Sequence, residues 1–134
     1  MPKRLFDTSI LIDHINAFPN KDAMTEAALR TWGGNLIEMH STNWICSPVV
    51  IEVLAGTRNK RELALHRAYL SAFAIIDEGK IPPMDWQKAQ HWAQRVPDNR
   101  HVRARSLGDC LIRAIAERLH CDVLASDRWY RSNR

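Results

Sequence analysis

The amino-acid sequence predicts an α/β fold with a mainly parallel central sheet and helices on both faces. Short apolar segments of strand character alternate with longer segments of helical periodicity along the chain. Strands that alternate with helices in this way favour a parallel sheet. No repeat, linker or low-complexity tract interrupts the 134 residues, a length that suits one core. We therefore expect a single domain over residues 1–134.

The predicted elements in chain order are strand 4–7, helix 9–16, helix 22–40, strand 44–47, helix 48–57, helix 60–73, strand 74–77, helix 85–96, helix 107–119 and strand 122–126. Side-chain oxygens favour helix starts because they accept hydrogen bonds from backbone N–H groups. Asp22, Asp85 and Ser106 are predicted to cap the helices that they begin or precede. Ser47 followed by Pro48 predicts a cap with proline at the first helical position. In the last helix, apolar residues recur at helical spacing, which predicts a core-facing side.

Composition limits the classes of protein to which the chain can belong. The net charge of +4 fits a polyanionic partner such as nucleic acid but is weak evidence alone. Three cysteines, an odd number without a Cys-x-x-Cys pair, argue against a disulfide framework and a zinc site, and predict a reducing cytoplasmic location. No segment reaches the ~20 apolar residues of a membrane span, and Asp7 and Asp13 interrupt the apolar run near the start.

Four acidic residues fall where an α/β fold would bring them together. Asp7 ends the first predicted strand, Glu52 lies on the helix after the second, Asp109 lies in the first turn of its helix, and Asp127 ends the last strand. Open α/β sheets carry their functional groups at the carboxyl ends of the strands. Carboxylates gathered there without matching cations need a hard metal ion. The pattern therefore predicts metal-assisted phosphodiester chemistry.

Each carboxylate also has a purely structural interpretation. Asp7 can be the N-cap of the next helix, and Asp109 has capping-box spacing from Ser106. Asp127 can begin a turn. Glu52 is harder to explain in this way, because it lies in an otherwise apolar helix start, where a glutamate without a partner is costly. The joint pattern is more specific than any single member.

Four segments carry a family resemblance: FDTSILI at 6–12, SPVVIEVLAG at 47–56, LGDCLIRAIA at 107–116 and VLASDR at 123–128. In this order they resemble the successive motifs of PIN-domain ribonucleases, most closely the VapC toxins of type II toxin–antitoxin pairs. The resemblance implies a three-layer α/β/α sandwich with a mainly parallel central sheet. It also implies Mg²⁺- or Mn²⁺-dependent endoribonuclease activity on structured RNA such as tRNA, a homodimer, and a cognate antitoxin that blocks the site.

The resemblance also assigns residues. Asp7, Glu52, Asp109 and Asp127 match the family's acidic positions, and Ser9 matches a small polar position near the metal. We expect Asp7 and Asp109 to be the core metal ligands. We expect Glu52 and Asp127 to bind a second ion, hold metal-bound waters or orient the nucleophile.

The chain departs from the motifs in two places. Ala125 stands where the family often has threonine, and Ser126 is a candidate substitute. The chain also ends at Arg134, where relatives usually continue into a further strand. Neither departure removes a ligand.

Basic residues flank the acidic motifs. Arg100, Arg103 and Arg105 precede the helix that carries Asp109, and Arg128 follows Asp127. We expect them to attract the RNA backbone, because phosphate contacts dominate nucleic-acid affinity. Taken singly, each is best interpreted as an ordinary solvated charge, and only their placement beside the acidic residues favours a functional role.

Two rival functions remain open at the sequence level. One is phosphoryl transfer with Asp7 as an aspartyl nucleophile, although Ser9 stands where that type of site has a second aspartate. The other is a PIN-like domain that binds RNA or protein without cutting it. Loss of an acidic residue would indicate such a domain, and none is lost.

Overall fold

A four-stranded sheet forms the centre of the protein in a computed structural model, which describes residues 3–95 and 105–126. The strands are β1 Lys3–Phe6, β2 Trp44–Ile45, β3 Ala74–Ile75 and β4 Cys121–Leu124. They are arranged in the order β3-β2-β1-β4, and each pair of neighbours is parallel. The prediction of a mainly parallel sheet is confirmed. Because all the strands point the same way, their carboxyl ends share one edge.

Helices cover the sheet in an α/β/α sandwich, which confirms the predicted fold class. Within the described ranges the helices are α1 Thr8–Asn16, α2 Glu26–His40, α3 Ser47–Ala55, α4 Lys60–Leu70, α5 Pro83–Ala93 and α6 Leu107–Arg118. The closest packing is between α5 and α6 and between α2 and α4, while α3 contacts α1, α4 and α6. The helix that carries Glu52 therefore lies between the helix that follows Asp7 and the helix that carries Asp109.

The core is built on the central strand and on one face of α6. Leu5 and Phe6 of β1 are fully buried, and Ile45 of β2 is only 1% exposed. In α6, Ile112 and Ile115 are fully buried at helical spacing, which confirms the predicted core face. Burying one such side chain contributes about 1.5–3 kcal/mol. Residues of β1, which Asp7 follows, and of α6, which carries Asp109, thus belong to the same apolar core.

Several predicted helix starts need correction. Helix α2 begins after Thr25, whose hydroxyl accepts a hydrogen bond from Ala28 N at 3.1 Å, and Asp22 lies instead in a separate 3₁₀ turn over Lys21–Ala23. Asp85 is not a cap, because α5 already begins at Pro83. Proline suits a first helical position, since its fixed φ fits and no N–H is needed there. Asp85 is instead buried and paired with Arg118.

The remaining boundaries differ by small amounts. Cys46 is the residue before α3, so Ser47 is the first helical residue and not the cap. Ser106 does cap α6, as predicted. None of the helices that the structure describes is long and apolar enough to cross a membrane.

Candidate active site

Asp7 lies directly after β1, at the carboxyl edge of the sheet. Its backbone N–H donates to Leu124 O over 2.9 Å, which continues the pairing of β1 with β4. Its side chain is buried, and Oδ2 accepts hydrogen bonds from Ser9 N at 3.2 Å and from Ser9 Oγ at 2.7 Å. The capping interpretation of Asp7 is therefore confirmed. The cap also fixes the orientation of the carboxylate, and it brings Ser9 into direct contact with it.

Glu52 reaches from α3 towards two other elements. Thr8 Oγ1 donates a hydrogen bond to Glu52 Oε1 over 2.6 Å. On the other side, a Cβ added at Gly108 would lie 2.4 Å from both Cδ and Oε2 of Glu52. The carboxylate therefore rests against the backbone at the start of α6, in space that only a glycine leaves open. Glu52 thus lies next to Thr8, the residue after Asp7, and next to Gly108, the residue before Asp109.

Asp109 is buried in the first turn of α6 and takes part in a capping box. Its backbone N–H donates to Ser106 Oγ at 3.1 Å, and its Oδ2 accepts from Ser106 N at 2.8 Å. The capping-box spacing seen in the sequence is thus confirmed. As with Asp7, this interaction sets the direction of the carboxylate and does not compete with a role in a site.

The buried thiol of Cys46 lies close enough to three carboxylates of this region for their charges to affect its pKa. Burial raises its pKa above the ordinary range, a backbone hydrogen bond from Val49 lowers the pKa by a smaller amount, and the charges of Asp77, Asp7 and Glu52 raise it further. A thiolate here would be desolvated beside carboxylates, so the thiol stays protonated. Cys46 is therefore packing and not a nucleophile.

Sequence reasoning missed Asp77 and Thr8. Asp77 lies just after β3, is 6% exposed, and accepts hydrogen bonds from both the backbone N–H and the hydroxyl of Ser47. The available signal for Asp77 was its position at the end of a predicted strand, as for Asp7. Thr8 lies between Asp7 and Ser9 in the first motif. Its only sequence signal was a hydroxyl next to two proposed site residues.

The chemistry of the donor set suits a hard divalent cation. Carboxylates of Asp7, Glu52 and Asp109, together with the hydroxyls of Thr8 and Ser9, offer only oxygen ligands, which Mg²⁺ and Mn²⁺ prefer. Over 3–95 and 105–126, however, no three His, Cys, Asp or Glu side chains are close enough together to hold an ion. Asp127, the fourth predicted carboxylate, lies outside the described residues.

The predicted RNA-binding residues fall mostly outside the described part of the chain. Arg100, Arg103 and Arg128 are among these. Arg105 is described, and its Nη2 donates to Ala93 O at 2.6 Å, at the last residue of α5. It also lines a cavity of about 280 Å³ between α5 and α6. Arg105 thus ties the end of α5 to the approach to α6.

Comparison with known proteins agrees with this architecture. The family model described as PIN domain matches residues 4–132, nearly the whole chain. A search among curated proteins finds no match.

Proposed function

Because this chain belongs to the PIN-domain family, whose members are typically nucleases, we propose that it is a Mg²⁺- or Mn²⁺-dependent endoribonuclease that hydrolyses RNA phosphodiesters. The observation that carries the proposal is the position of the Glu52 carboxylate, between the Thr8 hydroxyl and the Gly108 backbone. This contact brings the motifs of Asp7, Glu52 and Asp109 to one place. A glutamate at that junction, within an otherwise apolar helix, supports a site shared by the three motifs.

The proposed roles follow from how each carboxylate is held. Asp7 and Asp109 would be the main metal ligands, with Glu52 and Asp127 beside them. When bound, the metal ion would acidify a water molecule and offset the charge that develops on the phosphate. The hydrogen bonds from Ser9 and Ser106 fix one oxygen of each aspartate. Ligands held in this way need little rearrangement before the reaction, which is the main protein contribution to such chemistry.

Substrate binding is proposed for the basic residues that flank the acidic motifs in the sequence. Arg100, Arg103, Arg105 and Arg128 would contact RNA phosphates. The net charge of +4 is consistent with a polyanionic substrate, because basic residues have to offset the acidic residues of the proposed site. Arg105 Nη2 donates to Ala93 O and Nε is buried, so a phosphate contact would come from the remaining guanidinium N–H groups. Ser9 would support the Asp7 carboxylate through the hydroxyl contact already described.

We further propose the narrower biological role implied by the VapC resemblance. In it, the whole chain, residues 1–134, is one toxin domain that acts in the cytoplasm as a homodimer. A cognate antitoxin protein blocks its site, and its substrate is a structured RNA such as tRNA. The support is the set of four motif segments in family order. The buried thiols of Cys46 and Cys110 agree with a reducing compartment.

The catalytic proposal predicts internal cleavage of RNA in Mn²⁺ that stops when EDTA is added, because the carboxylates require the cation to bind the phosphate. The assay follows purified protein with a mixed structured RNA and separates the products by size. An Asp7→Asn protein, prepared in parallel, controls for contaminating nuclease. Release of inorganic phosphate without internal cuts would indicate the phosphoryl-transfer alternative. RNA that is retained but intact under all conditions would indicate a non-catalytic binder.

The toxin proposal predicts growth arrest when the wild-type chain is induced and relief when the small protein encoded beside it is co-expressed. Sequencing the 5′ ends of cellular RNAs after induction would identify the cleaved RNA and its site. The Asp7→Asn chain should cause neither arrest nor new 5′ ends. Equal arrest by that variant would mean that the effect on growth does not come from cleavage.

A further inference from the structure

Helix α3 carries Glu52 but does not cap its own N-terminus. The residue before the helix is Cys46, whose side chain makes no capping hydrogen bond. The helix begins Ser47-Pro48, and Pro48 has no N–H to satisfy. The N–H of Ser47 therefore needs an acceptor from elsewhere in the fold, because an unpaired N–H at a buried helix start is costly.

Asp77 supplies that acceptor from the neighbouring strand. Its Oδ1 accepts from Ser47 N over 2.8 Å, and its Oδ2 accepts from Ser47 Oγ. The side chain is 6% exposed, so these bonds are formed away from bulk water. A carboxylate at a helix N-terminus is also favoured by the helix dipole, and bonds to an ionised acceptor are the stronger kind. The start of α3 is thus attached to the end of β3.

We propose that Asp77 is a positioning residue for Glu52. Glu52 lies farther along the same helix, and its carboxylate lies between the Gly108 backbone and the Thr8 hydroxyl, which donates a hydrogen bond to it. A shift or tilt at the start of α3 therefore displaces the carboxylate from that gap. The inference rests on the proposed function, because only there does the location of Glu52 affect a reaction.

A role for Asp77 as another metal ligand fits the structure less well. Both of its oxygens already accept hydrogen bonds from Ser47. The strand order places β2 between β3 and β1, so Asp77 follows a strand that is not adjacent to the strand of Asp7. Glu52 is oriented towards Thr8 and Gly108 on the β1 and α6 side. Asp77 therefore acts through α3.

The backbone amide of Gly108 offers a direct measurement of where the Glu52 carboxylate lies. The chain has five glycines, so glycine amides are few in a ¹⁵N–¹H spectrum, and a Glu52→Gln variant identifies the Gly108 signal. In Asp77→Ala we expect this signal to move, because the carboxylate leaves its place. The matched control is Thr25→Ala, which removes the cap of α2, a helix that carries none of the proposed site residues. That variant should lower the melting temperature and leave the Gly108 signal unchanged.

Two milder variants keep the test decisive if Asp77→Ala fails to fold. Ser47→Ala loses the hydroxyl contact and keeps the N–H bond, and Asp77→Asn keeps an acceptor for that N–H. Both should therefore move the Gly108 signal, by less than the Glu52→Gln substitution does. A Gly108 signal that stays at its wild-type position in every folded Asp77 and Ser47 variant would overturn the proposal.

Metal binding and cleavage complete the test. Relative to wild type, Asp77→Ala should weaken Mn²⁺ binding, measured by electron paramagnetic resonance, or RNA cleavage by ~10–100-fold, the usual effect of removing an outer-shell partner. Thr25→Ala should change neither. A displaced Gly108 signal with wild-type Mn²⁺ binding and cleavage would overturn the functional part of the proposal. If the wild-type protein does not cleave RNA, the proposed function fails, and the Gly108 signal still decides whether Asp77 positions Glu52.

Discussion

Replacing Gly108 by alanine should abolish most RNA cleavage while leaving the protein folded. The added Cβ would lie 2.4 Å from the Glu52 carboxylate, which has to move away. That carboxylate is the end of a flexible side chain, so it can move at small cost to the fold. A displacement of about 1 Å in a catalytic group can cost on the order of 100-fold in rate. We expect a loss of that size in cleavage at saturating Mn²⁺.

The stability of the same variant should change little or rise. Gly108 lies in the first turn of α6, and alanine favours helix over glycine by about 0.8–1 kcal/mol in a helix interior. This gain opposes the cost of moving Glu52. A thermal melt therefore separates this variant from one that fails through unfolding, because activity falls without a matching fall in melting temperature.

Gly34→Ala is the matched control. Gly34 lies within α2, and a Cβ added there would have no heavy atom within 4 Å. It should gain a similar helix contribution and cleave RNA as wild type does. Normal cleavage by Gly108→Ala would mean that the location of the Glu52 carboxylate does not matter for the reaction, which contradicts the proposed site.

Replacing Asp109 by asparagine should remove cleavage without unfolding the protein. An amide is a poor ligand for a hard cation, and the loss should exceed the ~10–100-fold that removal of an outer-shell partner typically causes. The fold should survive because an asparagine oxygen can still accept the hydrogen bond from Ser106 N, and the Asp109 N–H still donates to Ser106 Oγ. Cleavage is measured beside a thermal melt of both proteins.

The response to metal distinguishes a ligand from a simple cap. Neighbouring carboxylates repel one another, so removal of one charge should leave Asp109→Asn at least as stable as wild type in EDTA. Metal that binds only the folded protein stabilises it by mass action, so wild type should gain more from Mn²⁺ than the variant. A cap alone would lose a few tenths to ~1 kcal/mol on becoming asparagine, through a weaker interaction with the helix dipole. A variant that melts earlier in EDTA and gains as much from Mn²⁺ as wild type would assign Asp109 to structure alone.

The parts of the fold that depend on local sequence could be predicted from it. Alternation of apolar strands with helices gave the parallel sheet, and capping-box spacing gave the start of α6 at Ser106. Asp22 and Asp85 were wrongly expected to cap helices, because the sequence alone does not distinguish an aspartate that caps a helix from one that lies near a helix start for another reason. In the fold, Asp85 is instead buried against Arg118, whose Nε donates to both carboxylate oxygens at 2.9 and 3.0 Å. That partner is distant in sequence and carries no local signal.

The candidate site likewise contains residues that could be predicted from the sequence and others that could not. Asp7, Glu52 and Asp109 could be proposed from their places at strand ends and helix starts. Asp77 also follows a predicted strand, but that position does not reveal its role, which depends on a contact between the end of β3 and the start of α3, two elements separated by α4. The need for glycine at position 108 also appears only when α3 and α6 are packed together, since the atom that excludes a side chain there belongs to Glu52.

The capping bonds of Asp7 and Asp109 also bear on when the site is assembled. Each aspartate receives its orientation from the hydrogen bonds that begin its own helix, α1 or α6. The loss of side-chain freedom in these two residues therefore accompanies folding and is not deferred until an ion arrives. The two carboxylates are therefore already oriented when the proposed metal ion binds. Backbone conformations of the ion-free and ion-bound protein should consequently coincide at the first turns of α1 and α6.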